Sequence, residues 1–520
     1  MDMIAHIGLG IQAAFGGPSV LGIPLNVLMV AGGLFFGVLV GATPGLAGPM
    51  AMAVALPILI SIFGFETSAL LPVLGFMLGV MKGATVGGAV PAILFNTPGT
   101  PDALMTTLDG YPMTKSGQSK KALKVAHFSS VSGDTVSDII LFICAPFLAI
   151  LVEAYLDLPE KSALILMSLT FIAAVVGKPV SKGVLAVALG LFISFIGTGE
   201  DFYPRLTGNV SELSGGFSIG VVVLGVLILG EIFTVMEKSN REMHSTGKLT
   251  QHNVVGDGRL TWAERVRLLP YIGRSAAIGT MIGALPGIGS TLAATIGYTT
   301  AKSRYNARKA KDAPHFGEGA AEGVASTEAA NSAVSGANLI PVLSLGIPGN
   351  TAAIFLILAM ETINGINPGP GVFKVPSSGV NPEMVMAFGL FTLMAFANLL
   401  NWVIGGRLMQ LMSVMIKVPK QILMPAVLLV TITSVYAEET SLFSVAMLIC
   451  FGALGYVMRK LGFPILPFVV AFILGRPLEA TSRQAFASVG ADPWFLFSSY
   501  TSIGLMAASV FILIYFSRKR

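Results

Sequence analysis

Charged side chains are scarce in this sequence, where Asp, Glu, Lys and Arg make up 11% of the 520 residues. Soluble globular proteins carry about 25% charged residues. Positions 3–65 contain none at all. Hydrophobic residues account for 54% of the chain, and the mean hydropathy is +0.79. This composition excludes a soluble globular protein and predicts an integral membrane protein.

Cysteine and histidine are also rare, with two and five residues. Cys144 and Cys450 both lie in apolar runs, which is typical of small core residues, so we expect no disulfide framework and no metal site. The histidines are scattered, and neither a zinc-protease HExxH motif, a G-x-S-x-G nucleophile elbow nor a P-loop is present. We therefore predict no catalytic residues and no organic cofactor. A membrane-embedded transferase is the least favoured alternative.

Basic residues gather in a few polar segments between the apolar runs. They lie at Lys115–Lys124, Lys238–Arg267, Lys302–Lys311 and Arg518–Arg520. Positive residues prefer the cytoplasmic side of a membrane, so we place these segments there and the loop around Glu66 outside. Because the basic residues are scattered between membrane segments, we expect no binding of nucleic acid.

The uncharged runs are long enough for membrane-crossing helices, which need about 20 apolar residues each. About a dozen transmembrane or re-entrant helices fit the length. The sequence thus predicts an all-α polytopic membrane protein embedded in the lipid bilayer, with no large soluble domain.

Two motifs recur in the same order in the two halves of the chain. The first is "GATPGLAGP" at 41–49 and "GALPGIGST" at 283–291. The second is "PAILFNTPGTP" at 91–101 and "PVLSLGIPGNT" at 341–351, with the same spacing between its prolines. We predict one repeat at 1–237, a basic cytoplasmic linker at 238–267 and a second repeat at 268–520.

The flanking charges differ between the two halves. Basic residues closely follow the first motif only in the second half, at Lys302, and closely follow the second motif only in the first half, at Lys115. Corresponding ends therefore face opposite sides of the membrane, which is the pattern of inverted repeats in secondary transporters.

Proline and glycine in these motifs interrupt helices at membrane depth. Irregular backbone is tolerated there only where protein or a water-filled cavity shields it. Transporters use such interruptions to direct helix N-termini at anions and carbonyl groups at cations. The neighbouring residues are neutral hydrogen-bonding groups. We predict a substrate and ion site at the interruptions, formed by Thr43, Pro44, Gly45, Asn96, Thr97, Pro98, Gly99, Thr100, Pro286, Gly287, Ser290, Thr291, Ser344, Gly346, Pro348, Gly349, Asn350 and Thr351.

Three further polar residues in apolar surroundings join this site as candidates. Lys82 is the single charge between Thr67 and Pro101, and it is either a counter-charge for a substrate carboxylate or a lysine reaching the membrane interface. Glu328 and Asn331 are three residues apart, so they share one face of a helix. They form part of an ion site or a gate. Alternatively, they cap a helix or make a polar contact between packed helices.

Several longer stretches resemble the large membrane subunit of the tripartite tricarboxylate transporter family, of the TctA type. They are "HFGEGAAEGVASTEAANSAVSGANLIPVLSLGIPGN" from His315, "AILFNTPGTPDALMTTLDGYPM" from Ala92, "INGINPGPGVF" from Ile363 and "VVAFILGRPLEATSRQAF" from Val469. The likeness extends over most of the chain from about Gly33. Departures from the family pattern include Lys82-Gly-Ala, Arg205-Leu-Thr-Gly-Asn and Glu328-Ala-Ala-Asn-Ser.

The resemblance implies a multi-pass protein of the bacterial inner membrane that carries solutes and is not an enzyme. It implies import of a citrate-like tricarboxylate or another organic carboxylate, with sodium as the coupling ion or a proton in its place. It also implies two partners, a small four-helix membrane subunit and a periplasmic substrate-binding protein. A stand-alone cation-coupled carboxylate carrier is the main alternative.

Overall fold

The computed structural model describes residues 3–43, 46–97, 99–177, 179–198, 203–242, 258–306, 314–376, 379–415 and 420–518. Most of this part of the chain is helical. In chain order the α-helices are α1 (Met3–Phe15), α2 (Leu25–Ala42), α3 (Gly48–Phe63), α4 (Leu70–Phe95), α5 (Thr107–Lys115), α6 (Ser119–Tyr155), α7 (Leu158–Val176), α8 (Val180–Ser194), α9 (Ile219–Leu224), α10 (Gly230–Glu242), α11 (Trp262–Gly283), α12 (Ser290–Asn306), α13 (Ala321–Ala337), α14 (Leu339–Leu345), α15 (Thr351–Ile363), α16 (Pro382–Leu400), α17 (Gly406–Met415), α18 (Lys420–Glu439), α19 (Leu442–Lys460), α20 (Ile465–Ser488) and α21 (Tyr500–Arg518).

Two π-helical turns connect helices into longer segments. Gly225–Leu229 joins α9 to α10, and Asn401–Gly405 joins α16 to α17. Short 3-10 turns lie at Thr67–Ala69, Pro101–Leu104, Ser211–Leu213, Pro370–Phe373 and Phe495–Phe497.

Extended structure within the described ranges is limited to two small antiparallel hairpins. β1 (Ser19–Val20) pairs with β2 (Ile23–Pro24), and β3 (Gly197–Thr198) pairs with β4 (Pro204–Arg205). The first hairpin turns through Leu21 and Gly22, both with positive φ, as tight two-residue hairpins require.

Nine helical segments of the described chain are long and apolar enough to cross a membrane. They are Leu25–Ala42, Thr67–Phe95, Ser119–Tyr155, Leu158–Val176, Ile219–Glu237, Pro382–Met412, Leu442–Lys460, Ile465–Ser488 and Tyr500–Arg518. Four shorter apolar helices accompany them, namely α1, α3, α8 and α15. The predicted fold class is confirmed: the chain is an all-α polytopic membrane protein.

The helices form two compact units. The first comprises Met1–Ala149, Gly247–Leu285 and Gly289–Pro419, and the second comprises Ile150–Thr246, Pro286–Ile288 and Lys420–Arg520. Each unit combines residues from both halves of the sequence. These units are therefore a different division from the two repeats and linker expected at 1–237, 238–267 and 268–520, and the inverted repeat stays a prediction.

In the first unit, α2 and α4 pack through facing rows of glycine. A Cβ atom on Gly37 would lie 2.4 Å from the carbonyl oxygen of Val80, and one on Gly83 would lie 2.4 Å from that of Leu34. Glycines four residues away on each helix, such as Gly41, make equally close approaches. Small residues at every fourth position let helix backbones come into direct contact in membranes. This contact fixes the position of α4, which ends at the second motif.

Helix α13 lies in the centre of the first unit, and its residues from Glu322 to Ala337 are all buried. Gly279 of α11 and Gly133 of α6 contact it so closely that a Cβ atom on either would lie 2.3 Å from an α13 carbonyl oxygen. The small residues of α13 thus allow two neighbouring helices to enclose it.

In the second unit, α7, α8, α20 and α21 pack against one another. Arg205 forms a two-pronged ion pair with Glu479 of α20, with N–O distances of 2.9 and 2.7 Å. Arg459 of α19 binds Glu231 of α10 at 3.0 Å.

Candidate functional site

The second motif has the same local structure in both halves. α4 ends at Asn96 and α14 ends at Gly346, and both residues adopt left-handed backbone conformations with φ of 53° and 71°. The N–H of Thr97 donates to the carbonyl of Pro91 at 3.3 Å, and the N–H of Ile347 donates to that of Pro341 at 3.2 Å. In both halves, the second motif therefore ends a helix with the same backbone hydrogen bond. The two halves thus share this local backbone geometry at the second motif.

A new helical segment starts directly after each of these ends. Thr100 precedes the 3-10 turn that begins at Pro101, and Asn350 precedes α15. The Asn350 side chain caps α15 by accepting a hydrogen bond from the N–H of Ala353 at 2.9 Å. The second motif is thus a helix–break–helix element in both halves, as its sequence predicted.

The first motif also separates two helices in each half. α2 ends at Ala42 and α3 begins at Gly48, while α11 ends at Gly283 and α12 begins at Ser290. Gly287 and Gly289 have positive φ values of 81° and 78°, which explains the need for glycine there. Pro44 and Gly45 of this motif, and Pro98 of the second, lie outside the described residues.

Residues from all four motifs line one cavity of about 260 Å³ in the first unit. The first unit's α4 and α13 complete its wall. The lining residues are Ala47, Gly48, Pro49, Met52, Met81, Ala84, Thr85, Thr100, Asp102, Ser290, Asn331, Val334, Ser335, Asn350, Thr351 and Ala352. Five of the predicted site residues are thereby brought together, namely Thr100, Ser290, Asn331, Asn350 and Thr351.

Three α-helices begin at the cavity. Gly48, Ser290 and Thr351 are the first residues of α3, α12 and α15, and all three line it. The first N–H groups of a helix have no partner inside the helix, and the helix dipole makes this end positive. The described lining residues include no Lys or Arg, so these helix ends supply the positive potential of the cavity.

The Asn331 side chain adds a hydrogen-bond donor to the cavity wall. Asn331 is 3% exposed, and its Nδ2 has no hydrogen-bond partner among the described residues. A buried amide N–H without a partner costs about 1–3 kcal/mol. A ligand with an acceptor oxygen would remove this cost.

Asp102 is a cavity residue that sequence reasoning missed. Its Oδ1 accepts a hydrogen bond from Thr291 at 2.7 Å, so Thr291 lies behind the lining and not in it. The signal was available, because Asp102 is a charge placed immediately after the Thr100-Pro101 break.

Lys82 lies behind the lining as well. Its Nζ donates to Asp134 at 2.8 Å and to Asp138 at 2.7 Å, and the lysine side chain is fully buried. Ser335, which lines the cavity, donates to the other oxygen of Asp134 at 2.8 Å. Lys82 is buried and neutralises two aspartates next to the cavity wall, and the substrate contact expected for it stays a prediction.

Glu328 is fully buried one turn before Asn331 and accepts a hydrogen bond from Thr106. It is absent from the lining, although the two residues were expected to act on one face.

Asp109 accepts hydrogen bonds from the backbone N–H groups of Gly317, Gly319 and Ala320 at 2.8–3.0 Å. It thereby anchors the loop that leads into α13.

The remaining predicted site residues make local contacts. Thr43 donates to the carbonyl of Leu39 at 3.0 Å, Thr97 to that of Phe95 at 3.2 Å, and Ser344 to that of Ile340. Several others are absent from the cavity lining, namely Asn96, Gly99, Pro286, Gly287, Gly346, Pro348 and Gly349. Gly99 serves packing, since a Cβ atom there would lie 2.2 Å from the Gly41 carbonyl oxygen.

Comparison with known proteins places this architecture in a family. Residues 27–470 match the model of the tripartite tricarboxylate transporter TctA family. An uncharacterized 52.8 kDa protein in the TAR-I ttuC' 3' region of Agrobacterium vitis is 29% identical over 98% of this chain and 95% of its own length. An uncharacterized protein in the TAR-II ttuC' 3' region of the same organism is 33% identical over 40% of this chain and 80% of its own length. No solved structure matches the chain.

The family match confirms the resemblance that the sequence motifs carry. It also confirms that the chain is a transporter protein and not an enzyme, and its spanning helices agree with a multi-pass protein of the inner membrane. The chain belongs to the tripartite tricarboxylate transporter TctA family.

Proposed function

We propose that the chain is the large membrane subunit of a binding-protein-dependent secondary transporter, and that the 260 Å³ cavity holds its substrate. The substrate is a citrate-like tricarboxylate or another small organic carboxylate, and uptake is driven by a sodium or proton gradient. A small four-helix membrane subunit and a periplasmic binding protein are its partners.

One observation carries this proposal: the N-termini of α3, α12 and α15 and the unpaired Nδ2 of Asn331 share a single cavity. Helix N-termini are anion sites because free N–H groups and the helix dipole act together. A carboxylate would accept hydrogen bonds from these groups without a buried lysine or arginine. The same arrangement recurs in secondary transporters for anionic substrate groups.

The carboxylate of Asp102 requires a cation when the cavity holds an anion. Two negative groups in one small cavity repel each other strongly, since the local dielectric constant is far below that of water. The hydroxyl and amide oxygens of Thr100, Ser290 and Asn350 lie on the same lining and are hard oxygen ligands. We propose sodium between Asp102 and the substrate as the coupling ion; a proton gradient is the alternative driving force.

The proposal is tested by measuring the melting temperature of the purified chain with a panel of di- and tricarboxylates. Each compound is added in sodium chloride and in choline chloride at equal ionic strength. We expect one class of carboxylate to raise the melting temperature, and to do so more strongly with sodium. In an Asp102→Asn variant the carboxylate effect should persist while its dependence on sodium is lost.

Binding by the chain alone and transport by the assembly are separate questions. If no carboxylate stabilises the chain, proteoliposomes with the small subunit and a loaded binding protein are tested for uptake. Absence of both binding and uptake would sink the proposal. Uptake by vesicles that contain the chain alone would instead favour the stand-alone carrier.

A further inference from the structure

A second cavity, of about 400 Å³, lies in the first unit away from the candidate substrate site. Three basic side chains line it: Lys124 from α6, Arg265 from α11 and Arg407 from α17. Among the described residues, the lining contains no Asp or Glu. Within the described parts of the chain, none of these three side chains forms an ion pair. All three residues are exposed, so solvent screens much of their mutual repulsion, and an anion bound between them would relieve the rest.

The acidic residues nearby along the chain have other partners. Glu264 binds Lys121, and Glu322 binds Arg267 at 2.9 Å. These pairs neutralise basic residues outside the cavity, and no described acidic side chain pairs with the basic residues inside it. The charged side chains among the described lining residues are therefore all basic, although the surrounding helices carry both basic and acidic residues.

An aromatic wall completes the cavity. The rings of Phe128 and Trp402 meet edge to face with centroids 5.8 Å apart, and the Arg265 guanidinium lies 5.8 Å from the Phe128 ring centre. The indole N–H of Trp402 donates to Thr135 at 3.3 Å. Leu260 adds an aliphatic surface to the lining. The cavity thus offers positive charge beside apolar surface.

A π-helical turn at Asn401–Gly405 presents Trp402 to this cavity. The carbonyl of Asn401 lies 2.9 Å from Nε2 of His127, another lining residue. A Cβ atom on Gly406 would lie 3.2 Å from the His127 ring, so the glycine allows this approach. π-helical turns are rare and occur frequently at functional sites. The π-helical turn therefore shapes one wall of this cavity.

The length of α6 allows the cavity to lie at the level of the lipid headgroups. A helix of 37 residues is about 55 Å long, whereas the hydrocarbon layer is about 30 Å thick. Lys124 and Phe128 lie in its first three turns, at the end where basic residues concentrate. Trp402 is 40% exposed, and tryptophan is enriched at the boundary between lipid and water.

We propose that this basic cavity, lined by Lys124, Arg265 and Arg407, binds the phosphate headgroup of an anionic phospholipid. Basic cavities between membrane helices on the cytoplasmic side are suited to such headgroups. The guanidinium groups bind the phosphate, and the first segments of the acyl chains lie on Phe128, Trp402 and the exposed membrane face beside them. A soluble phosphate would use the same positive charges but not the apolar wall.

The test uses the purified, delipidated full chain and its melting temperature. Phosphatidylglycerol, phosphatidylcholine and inorganic phosphate are added in separate titrations. We expect phosphatidylglycerol to raise the melting temperature more than phosphatidylcholine does. In an Arg265→Gln/Arg407→Gln variant, roughly 30-fold more phosphatidylglycerol should be needed for half of the effect, since each basic residue contributes about 1 kcal/mol. The control variant Lys302→Gln/Arg304→Gln removes two exposed positive charges from α12 and should behave as the parent protein.

Equal effects of the two lipids on the parent protein would overturn the proposal. So would an unchanged lipid response of the cavity variant, or full reproduction of the effect by inorganic phosphate, which would identify a soluble phosphate as the ligand. If the double variant does not fold, native mass spectrometry of the parent protein decides. Preferential retention of phosphatidylglycerol supports the site, and equal retention of both lipids overturns it.

Discussion

The ammonium group of Lys82 lies 2.7 Å from the carboxylate of Asp138, near the middle of the 26-residue helix α4. Asp134 binds the same ammonium group at 2.8 Å. All three groups are largely removed from solvent. Removing one partner from a buried ion pair leaves an uncompensated charge, which costs about 3–5 kcal/mol.

The variant Lys82→Met should therefore lower the melting temperature strongly, because two aspartates lose their cation. The matched control is Lys161→Met, since Lys161 pairs with Glu153 at 3.0 Å in an exposed position. Exposed pairs contribute about 0–1 kcal/mol. Adding Asp138→Asn to Lys82→Met should restore part of the loss. Equal melting temperatures for the two lysine variants would contradict this role of Lys82.

The variant Asn331→Ala should weaken carboxylate binding with little change in melting temperature. A hydrogen bond to a charged group contributes about 1.5–3 kcal/mol, which corresponds to a loss of roughly 10- to 100-fold in affinity. Asn338 is the matched control, because it is also buried with an Nδ2 that has no partner in the described chain, but it does not line the cavity. If Asn338→Ala weakened binding as much, the effect would not come from a cavity contact.

The contact between α2 and α4 should tolerate no side chain at Gly37. A Cβ atom there would lie 2.4 Å from a backbone oxygen of α4, so Gly37→Ala forces the helices apart. We expect a reduced yield of monodisperse protein in size-exclusion chromatography and a lower melting temperature. On the same helix, a Cβ atom on Gly32 would meet nothing nearer than 3.8 Å. Gly32→Ala should be tolerated, or even stabilise the helix by up to about 1 kcal/mol. Equal behaviour of the two variants would show that the glycine contact is unimportant.

The stability of the first turn of α11 should depend on pH through Glu264. The hydrogen bond from Lys121 lowers the pKa of Glu264 from 4.5 to about 2. Because the folded pKa lies below the unfolded value, this stabilisation is complete above about pH 4.5 and is lost as the pH falls toward 2.

The variant Glu264→Gln retains a side chain that can cap the helix but removes the charge. Its melting temperature should be lower than that of the parent protein at neutral pH, and the difference should shrink below pH 4.5. Hydrogen exchange of the backbone amides near Thr261, the N-cap residue of α11, measures the local effect. A difference in melting temperature that grows toward acidic pH would contradict a stabilising ion pair between Lys121 and Glu264.

Much of the local structure followed from the sequence. The low content of charged residues predicted a membrane protein, and the long uncharged runs predicted that its membrane segments are helices. The second motif showed where α4 and α14 end, since proline and residues that accept positive φ, here Asn96 and Gly346, act within one helical turn. These features depend on neighbours in the chain, so spacing and residue type are sufficient to predict them.

The identity of the contacts depended on the tertiary structure. Lys82 and Asp138 are 56 positions apart, and Asp102 and Thr291 are 189 apart. No periodicity within one helix indicates which other helix its polar face will meet. The sequence therefore indicated which breaks belong to the candidate site. Helix packing decided that Asn331 and Asp102 line the cavity at these breaks, while Lys82 and Glu328 lie behind its lining. Buried polar groups must find partners across the fold, and those partners are set by the positions of whole helices.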